Sequence, residues 1–288
     1  MVLPQKQVNL LNQNYTMDYQ LICSDIDGTL LNKDRELSQA TINTIQTLKN
    51  QIPFVLISSR MPEAMRHLQK QLSIENQPLI AYNGGLVLDQ EQVLSSTEIS
   101  LTQVEKILEY NQEHLGIHLS LYQEDDWFVP RMDYWAEREY RNTKIEPQVL
   151  GNNKVLKKWT KTRFGAHKIM CMGEEEKINQ LFNFLTENLG EELHLYRSKP
   201  TYIEIAPKQI SKLTAIDLLL AEKYQLQRQQ VMAFGDNYND LEMLKNVGMG
   251  VAVDNAKPEV KLVANATTTN AKEDGVANYL RSQFLKHL

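Results

Sequence analysis

The chain of 288 residues is 42% hydrophobic and 23% charged, with 12 Gly and 9 Pro, which excludes disordered, collagenous and fibrous classes. Its length leaves room for about two domains. Its 31 basic and 36 acidic residues give a formal charge of −5, so nothing in the balance points to nucleic acid, while a small anionic substrate in a locally positive pocket stays open.

No run of 18 apolar residues predicts a membrane span. Residues 1–17, rich in Gln and Asn, lack the basic-then-apolar order of a secretory signal and read as a polar leader. The two cysteines, Cys23 and Cys171, lie in apolar runs and are expected to be buried reduced thiols of a cytoplasmic protein. Residues 19–23 form a mostly apolar strand that breaks at Ser24-Asp25-Ile26-Asp27-Gly28. Ser38 caps a helix with Ile42, Ile45 and Leu48 on one face. A second strand over 53–57 ends at Ser58-Ser59-Arg60, Pro62 opens a helix, and a third strand over 78–82 ends at Asn83-Gly84-Gly85. This alternation predicts a parallel sheet with right-handed crossovers.

The pattern then changes. Apolar runs at 86–88 and 93–94 predict a hairpin, followed by a helix over 101–112, strands at 117–122, 127–130 and 166–172, a helix over 174–189 and a strand at 193–196. Residues 140–160 read as loop plus an irregular helix. From Tyr202 the alternation returns: strand 202–206, helix 211–224, strand 231–234 ending at Gly235-Asp236, helix 239–246, strand 250–253, and helices near Pro258 and over 275–285. The expected fold is α/β, a Rossmann-like parallel sheet core in two pieces, 18–85 and 199–288, with an inserted α+β domain at 86–198.

Ligands of parallel α/β sheets bind beyond the carboxyl ends of the strands. Three of those ends carry polar groups: Asp25 and Asp27, Ser58, and Asp236; Lys212 sits at a helix start. Each has a plain reading, as turn, cap or solvated charge. Together they suit phosphate chemistry. Asp25 and Asp27 pair a nucleophile with an acid/base, Ser58 offers a hydroxyl near a helix start, and Lys212 offers a point charge. Gly235-Asp236-Asn237-Tyr238-Asn239-Asp240 offers hard oxygens of the kind Mg²⁺ takes, and no Cys/His spacing supports zinc. The six histidines read as structural or surface residues.

Ser24-Asp25-Ile26-Asp27-Gly28-Thr29 resembles the DxDGT signature of the haloacid dehalogenase (HAD) superfamily. Ser58-Ser59-Arg60, Ser211-Lys212 and Gly235-Asp236-Asn237-Tyr238-Asn239-Asp240 resemble its other three motifs, with Ser58-Ser59 where Thr-Gly is usual and Leu213 where Gly is usual. The spacing resembles the Cof-type phosphatases, whose α/β cap interrupts the core between the second and third motifs; the likeness covers about residues 18 to 288. It implies a Mg²⁺-dependent phosphohydrolase acting on small phosphorylated metabolites, such as sugar, nucleotide or cofactor phosphates. Asp25 would be the nucleophile that forms an aspartyl phosphate, and Asp27 the acid/base. Mg²⁺ would sit on Asp25, the Asp27 carbonyl and Asp236, with Asp240 orienting waters or Lys212. Ser58, Ser59, Lys212 and Asn239 would hold the phosphoryl oxygens. The inserted domain would be the cap that selects substrate. Its cluster Trp127, Arg131, Tyr134 and Trp135 reads first as cap core and surface, second as substrate pocket. A phosphomutase and a non-catalytic phosphate-binding protein on the same scaffold are the alternatives.

Overall fold

A computed structural model describes residues 19–285; the expected leader at 1–17 lies outside the described residues. The first segment supplies β1 (Leu21–Asp25), α1 (Gln39–Leu48), β2 (Phe54–Ile57), α2 (Glu63–Leu72), β3 (Leu79–Ala81), β4 (Leu86–Asp89) and β5 (Gln92–Ser96). The middle supplies α3 (Leu101–Tyr110), β6 (His118–Gln123), β7 (Asp126–Val129), α4 (Tyr134–Thr143), β8 (Gln148–Val149), α5 (Asn152–Thr162), β9 (Lys168–Met172), α6 (Glu175–Leu189), β10 (Leu193–Lys199) and β11 (Tyr202–Pro207). The last segment supplies α7 (Lys212–Leu219), β12 (Val231–Gly235), α8 (Leu241–Asn246), β13 (Met249–Ala252), α9 (Pro258–Val263), β14 (Ala266–Thr267) and α10 (Gly275–Phe284).

Eight strands form the core sheet in the order β14-β13-β12-β1-β2-β3-β4-β5. β1 is buried along its whole length, as a strand covered on both faces must be, and pairs in parallel with β12 on one side and β2 on the other. The strand order reverses there: chain order runs outward from β1 through β2 and β3, and from β12 through β13 and β14. That reversal opens a crevice at the carboxyl ends of β1 and β12, where Asp25 and Asp236 stand.

The hairpin over 86–96 belongs to this sheet and not to the insertion. β4 runs antiparallel to β3, with Ala81 opposite Leu86. The cause is the turn at Tyr82, Asn83 and Gly84, all at positive φ, which sends the chain straight back along β3. Likewise β11, expected in the core from residue 202, pairs with β9 and β10 in the second sheet. The boundaries expected at 86 and 199 therefore shift: the chain leaves the core sheet between Ser96 and Ile99 and returns between Pro207 and Ser211. Both crossings lie beside one turn. Thr97 N–H donates to Gly85 O at 2.8 Å, and a side chain at Gly84 would sit 2.5 Å from Ser211 O.

The second sheet has the order β10-β11-β9-β6-β7-β8. Side chains alternate across it. Leu119, Leu121, Ile169, Cys171, Ile203 and Ile205 pack with Ile107, Trp159, Leu181 and Leu185 of the helices into a separate apolar core. The opposite face carries His118, Ser120, Tyr122, Lys168, Met170 and Glu204 and roofs the crevice of the core sheet. Residues 140–160 hold the end of α4 and most of α5 rather than an irregular stretch. α4 buries only Ala136, and α5 only Val155 and Trp159, too narrow a stripe to give the sequence a strong helical period. Cys23 and Cys171 are free and buried, as expected. Among the described residues no helix is long and apolar enough to cross a membrane.

Candidate active site

Asp25 ends the central strand, and the following loop turns through Gly28 at φ +87°. Glycine is required there twice over: the backbone is left-handed, and a Cβ would lie 2.5 Å from Asp236 Oδ2. Lys212, the first residue of α7, reaches in with its ammonium 2.6 Å from both Asp25 Oδ1 and Asp240 Oδ1. Its side chain is 0% exposed, so this is a buried cation between two carboxylates. Burial would lower the Lys212 pKa, but Asp240 and Asp25 hold it well above the ordinary lysine value. The second Asp25 oxygen, Oδ2, is buried with no hydrogen-bond partner. Burial, followed by the nearby charges of Asp240 and Asp236, pushes the Asp25 carboxyl up despite Lys212.

Asp240 is saturated. Besides the bond from Lys212, its Oδ2 accepts the backbone N–H groups of Asp236 and Asn237 at 2.9 and 3.0 Å. It therefore pins the loop after β12. Asp236 Oδ1 accepts from Thr29 Oγ1 at 3.0 Å, and burial, with the Asp240 charge second, raises its pKa to about 6. One oxygen each of Asp25, Asp236 and Asp240 lie within 4.8 Å of one another.

Asp27 points elsewhere. Arg60 holds it in a fork, Nε to Oδ2 at 2.6 Å and Nη2 to Oδ1 at 2.8 Å, and Arg35 adds a third bond at 2.7 Å. Burial alone would raise its pKa; the hydrogen bond and charge of Arg60, then Arg35, bring it below the usual carboxylate range. Ser58 is buried, its hydroxyl accepting from Arg60 N–H at 3.2 Å, and Ser59 lies beside it with its carbonyl accepting from Lys168 Nζ at 2.9 Å. Asn239 Nδ2 donates to Asn83 Oδ1 at 3.0 Å. A cavity of about 430 Å³ joins Asp25, Asp27, Ser58, Ser59, Asp236 and Asn239 to the roof. Lys212 and Asp240 stand behind its wall.

The expected aromatic cluster divides. Trp127 and Trp135 line the cavity, Trp127 stacked on Tyr122 at 5.8 Å. Arg131 pairs with Asp133 at 3.3 Å, and Tyr134 is 63% exposed. Sequence reasoning missed the roof's own polar groups, Lys168 and Glu204, together with Arg35 and Arg138. The signal for the first two is a charge at alternate positions of otherwise apolar strands, in His167-Lys168-Ile169-Met170 and Tyr202-Ile203-Glu204-Ile205. Two histidines read as plain structural residues do structural work. His118 Nδ1 meets Asp133 Oδ2 and its Nε2 meets Ser120 Oγ, both at 2.9 Å, holding the residue that caps α4. His167, fully buried with its pKa lowered to about 4 by burial, accepts from Glu124 N–H at 3.1 Å.

A doubly wound parallel sheet with an acidic crevice at its switch point, roofed by a second sheet with its own apolar core, defines a two-domain α/β protein that binds its ligand at that crevice. Residues 22–280 match the family of haloacid dehalogenase-like hydrolases, and the chain belongs to that family. A Haemophilus influenzae protein whose phosphatase assignment is provisional is 34% identical over 271 residues, covering 93% of this chain and 99% of that one. The 5-amino-6-(5-phospho-D-ribitylamino)uracil phosphatase YitU of Bacillus subtilis is 28% identical over 273 residues, covering 92% and 97%. The crystal structure of a haloacid dehalogenase-like hydrolase from Bacteroides thetaiotaomicron superposes with a TM-score of 0.84 at 28% identity, over 92% of this chain and 100% of that one.

Proposed function

We propose that the protein is a Mg²⁺-dependent phosphatase of small phosphorylated metabolites, working through an aspartyl phosphate on Asp25. The observation that carries this reading is the unpartnered, buried Asp25 Oδ2 beside a fixed Lys212. Lys212 holds one oxygen and so aims the other at the cavity. Oδ2 attacks phosphorus, the phosphorus–ester oxygen bond breaks, and the leaving oxygen takes a proton. Water then attacks the acyl phosphate, giving up its proton, and inorganic phosphate and free Asp25 result.

Asp27 is the acid/base of this scheme. Held by Arg60 and Arg35 it is ionised, the form that accepts a proton from water. To give a proton to the leaving oxygen it must first exchange those arginines for the substrate. Ser58 and Ser59, with Asn239 opposite, line the space for the phosphoryl oxygens. The donor set suits a hard cation: Asp25 Oδ1 keeps a lone pair beyond its bond from Lys212 while Oδ2 faces phosphorus, Asp236 Oδ2 accepts no hydrogen bond among the described residues, and the Asp27 carbonyl leaves the same loop. Mg²⁺ held there would neutralise the charge of carboxylates and phosphate brought together. Asp240, with its oxygens engaged, would position Lys212 and the loop rather than bind directly.

The test is acid quenching of enzyme turning over a phosphate ester, followed by peptide mass analysis. A phosphoryl group on the peptide carrying Asp25, released by base, is expected. Turnover in oxygen-18 water with no label in the recovered phosphate would refute hydrolysis.

A further inference from the structure

We propose that Glu204 and Lys168 are the specificity-determining pair of the roof, and that they select a leaving group bearing hydroxyl or amino hydrogen-bond donors over an apolar one of the same size. This rests on the phosphatase reading.

The pair is built by register. Glu204 on β11 stands opposite Met170 on β9, and Lys168 is two residues along from Met170, on the same face. Both line the cavity that holds Asp25 and Ser58. Lys168 is fixed: it is 5% exposed, its ammonium donates to Ser59 O across the gap between the domains, and it lies 4.5 Å from the Tyr122 ring centroid. Glu204 is not. Its carboxyl is partly buried, Lys168 is the largest opposing charge near it, and among the described residues none donates it a hydrogen bond. A carboxylate placed in a phosphate-binding cavity repels the substrate's anion, so its place there has to be repaid by another part of the substrate. A substrate hydroxyl or amine that donates to Glu204 satisfies it; an alkyl chain leaves it desolvated and unpaired. Sites built to bond a polar group reject analogues that lack it far more strongly than apolar pockets reject extra atoms.

The experiment compares kcat/KM for a pentitol phosphate and for pentyl phosphate with Mg²⁺, with phenyl phosphate as a third substrate. The wild-type protein is expected to favour the pentitol ester by about 100-fold, the loss of one hydrogen bond to a charged group. Glu204→Ala is expected to bring the ratio to within a few-fold of one, through a higher KM for the pentitol ester and a gain on the pentyl ester. Glu204→Gln, which keeps an acceptor, is expected to retain most of the preference, and Glu204→Leu, which fills the space without an acceptor, is expected to lose it and serves if the alanine variant does not fold, a wild-type ratio in it overturning the proposal. Val149→Ala, a 59% exposed cap residue on the edge strand β8 and outside the cavity, is expected to leave the ratio at its wild-type value. Equal wild-type rates on the two esters, or a wild-type ratio in a folded Glu204→Ala variant, would overturn the proposal. No hydrolysis of any of the three esters by the wild-type protein would instead refute the phosphatase reading on which it rests.

Discussion

Replacing Lys212 with methionine keeps the unbranched shape and removes the charge. The wild-type ammonium lies 2.6 Å from Asp25 and from Asp240, with no solvent exposure, so the variant leaves two carboxylates facing each other across a dry gap. Removing one partner of such a buried arrangement costs about 3–5 kcal/mol. Asp25 has one escape, which is to take up a proton. A carboxyl whose folded pKa lies above its unfolded one contributes stability at low pH and loses it as pH rises through the folded value. Asp25 is already raised, and loss of Lys212 raises it further. The destabilisation is therefore expected to be smaller at an acidic pH than at a mildly alkaline one. Urea unfolding followed by circular dichroism, with chelator present so that no divalent cation substitutes for the ammonium, measures it. An equal loss at both pH values, with an unchanged dependence on urea, would mean that the cost is packing alone and would refute the electrostatic reasoning.

Three further outcomes are expected. Asp25→Asn should reduce turnover of an aryl phosphate by about 10⁴-fold or more while the circular dichroism spectrum is retained, because an amide does not attack phosphorus; retained turnover would remove Asp25 from the mechanism. Mg²⁺ affinity, measured by calorimetry, should fall as pH drops through about 6, where protons compete for Asp236, and a pH-independent affinity would exclude that carboxylate as a ligand. Gly28→Ala places a methyl 2.5 Å from Asp236 Oδ2 at a left-handed position; the backbone cost is about 1–2 kcal/mol, and Mg²⁺ affinity should suffer beyond what that loss of stability explains. Unchanged affinity in a folded variant would show that Asp236 has room to move.

The strands of the core and the polar residues at their ends were legible because each buried run stops abruptly at charge: Cys23 gives way to Asp25, Ile57 to Ser58, Phe234 to Asp236. Sheet membership was not. The 86–96 hairpin has the same alternation whether it extends the core or opens the cap, and the decision lies in three positive φ angles at Tyr82, Asn83 and Gly84, of which only the glycine is visible as a letter. At the site, residue types were readable and their pairings were not. Asp27 and Arg60 are separated by 33 residues, and no local pattern says that a guanidinium will grip that carboxylate. Asp240 read as a cation neighbour; its second oxygen, spent on two backbone N–H groups, is a matter of loop geometry. The cap's substrate face was sought among aromatics near Trp127, whereas the register of β6, β9 and β11 puts Lys168 and Glu204 over the crevice as well.

The two crossings beside Gly84 and Gly85 bear on how the molecule assembles. β1 has β2 as a neighbour early in the chain, but its other edge waits for β12, and Asp25 waits for Lys212 across a separation of 187 residues. A growing chain thus carries an open strand edge, apolar over Leu21, Ile22 and Cys23, through synthesis of the entire insertion, the kind of surface on which nascent chains associate wrongly. The insertion has its own apolar core and can fold in the interval, drawing its two ends together. Once that has happened the long intervening segment behaves as a short tether. Even without it, each doubling of a flexible loop adds only about 0.6 kcal/mol to the closure entropy. Docking of β12 covers that edge, and the nucleophile site is complete only once α7 has also brought Lys212 to Asp25, so enzymatic competence is a late product of folding.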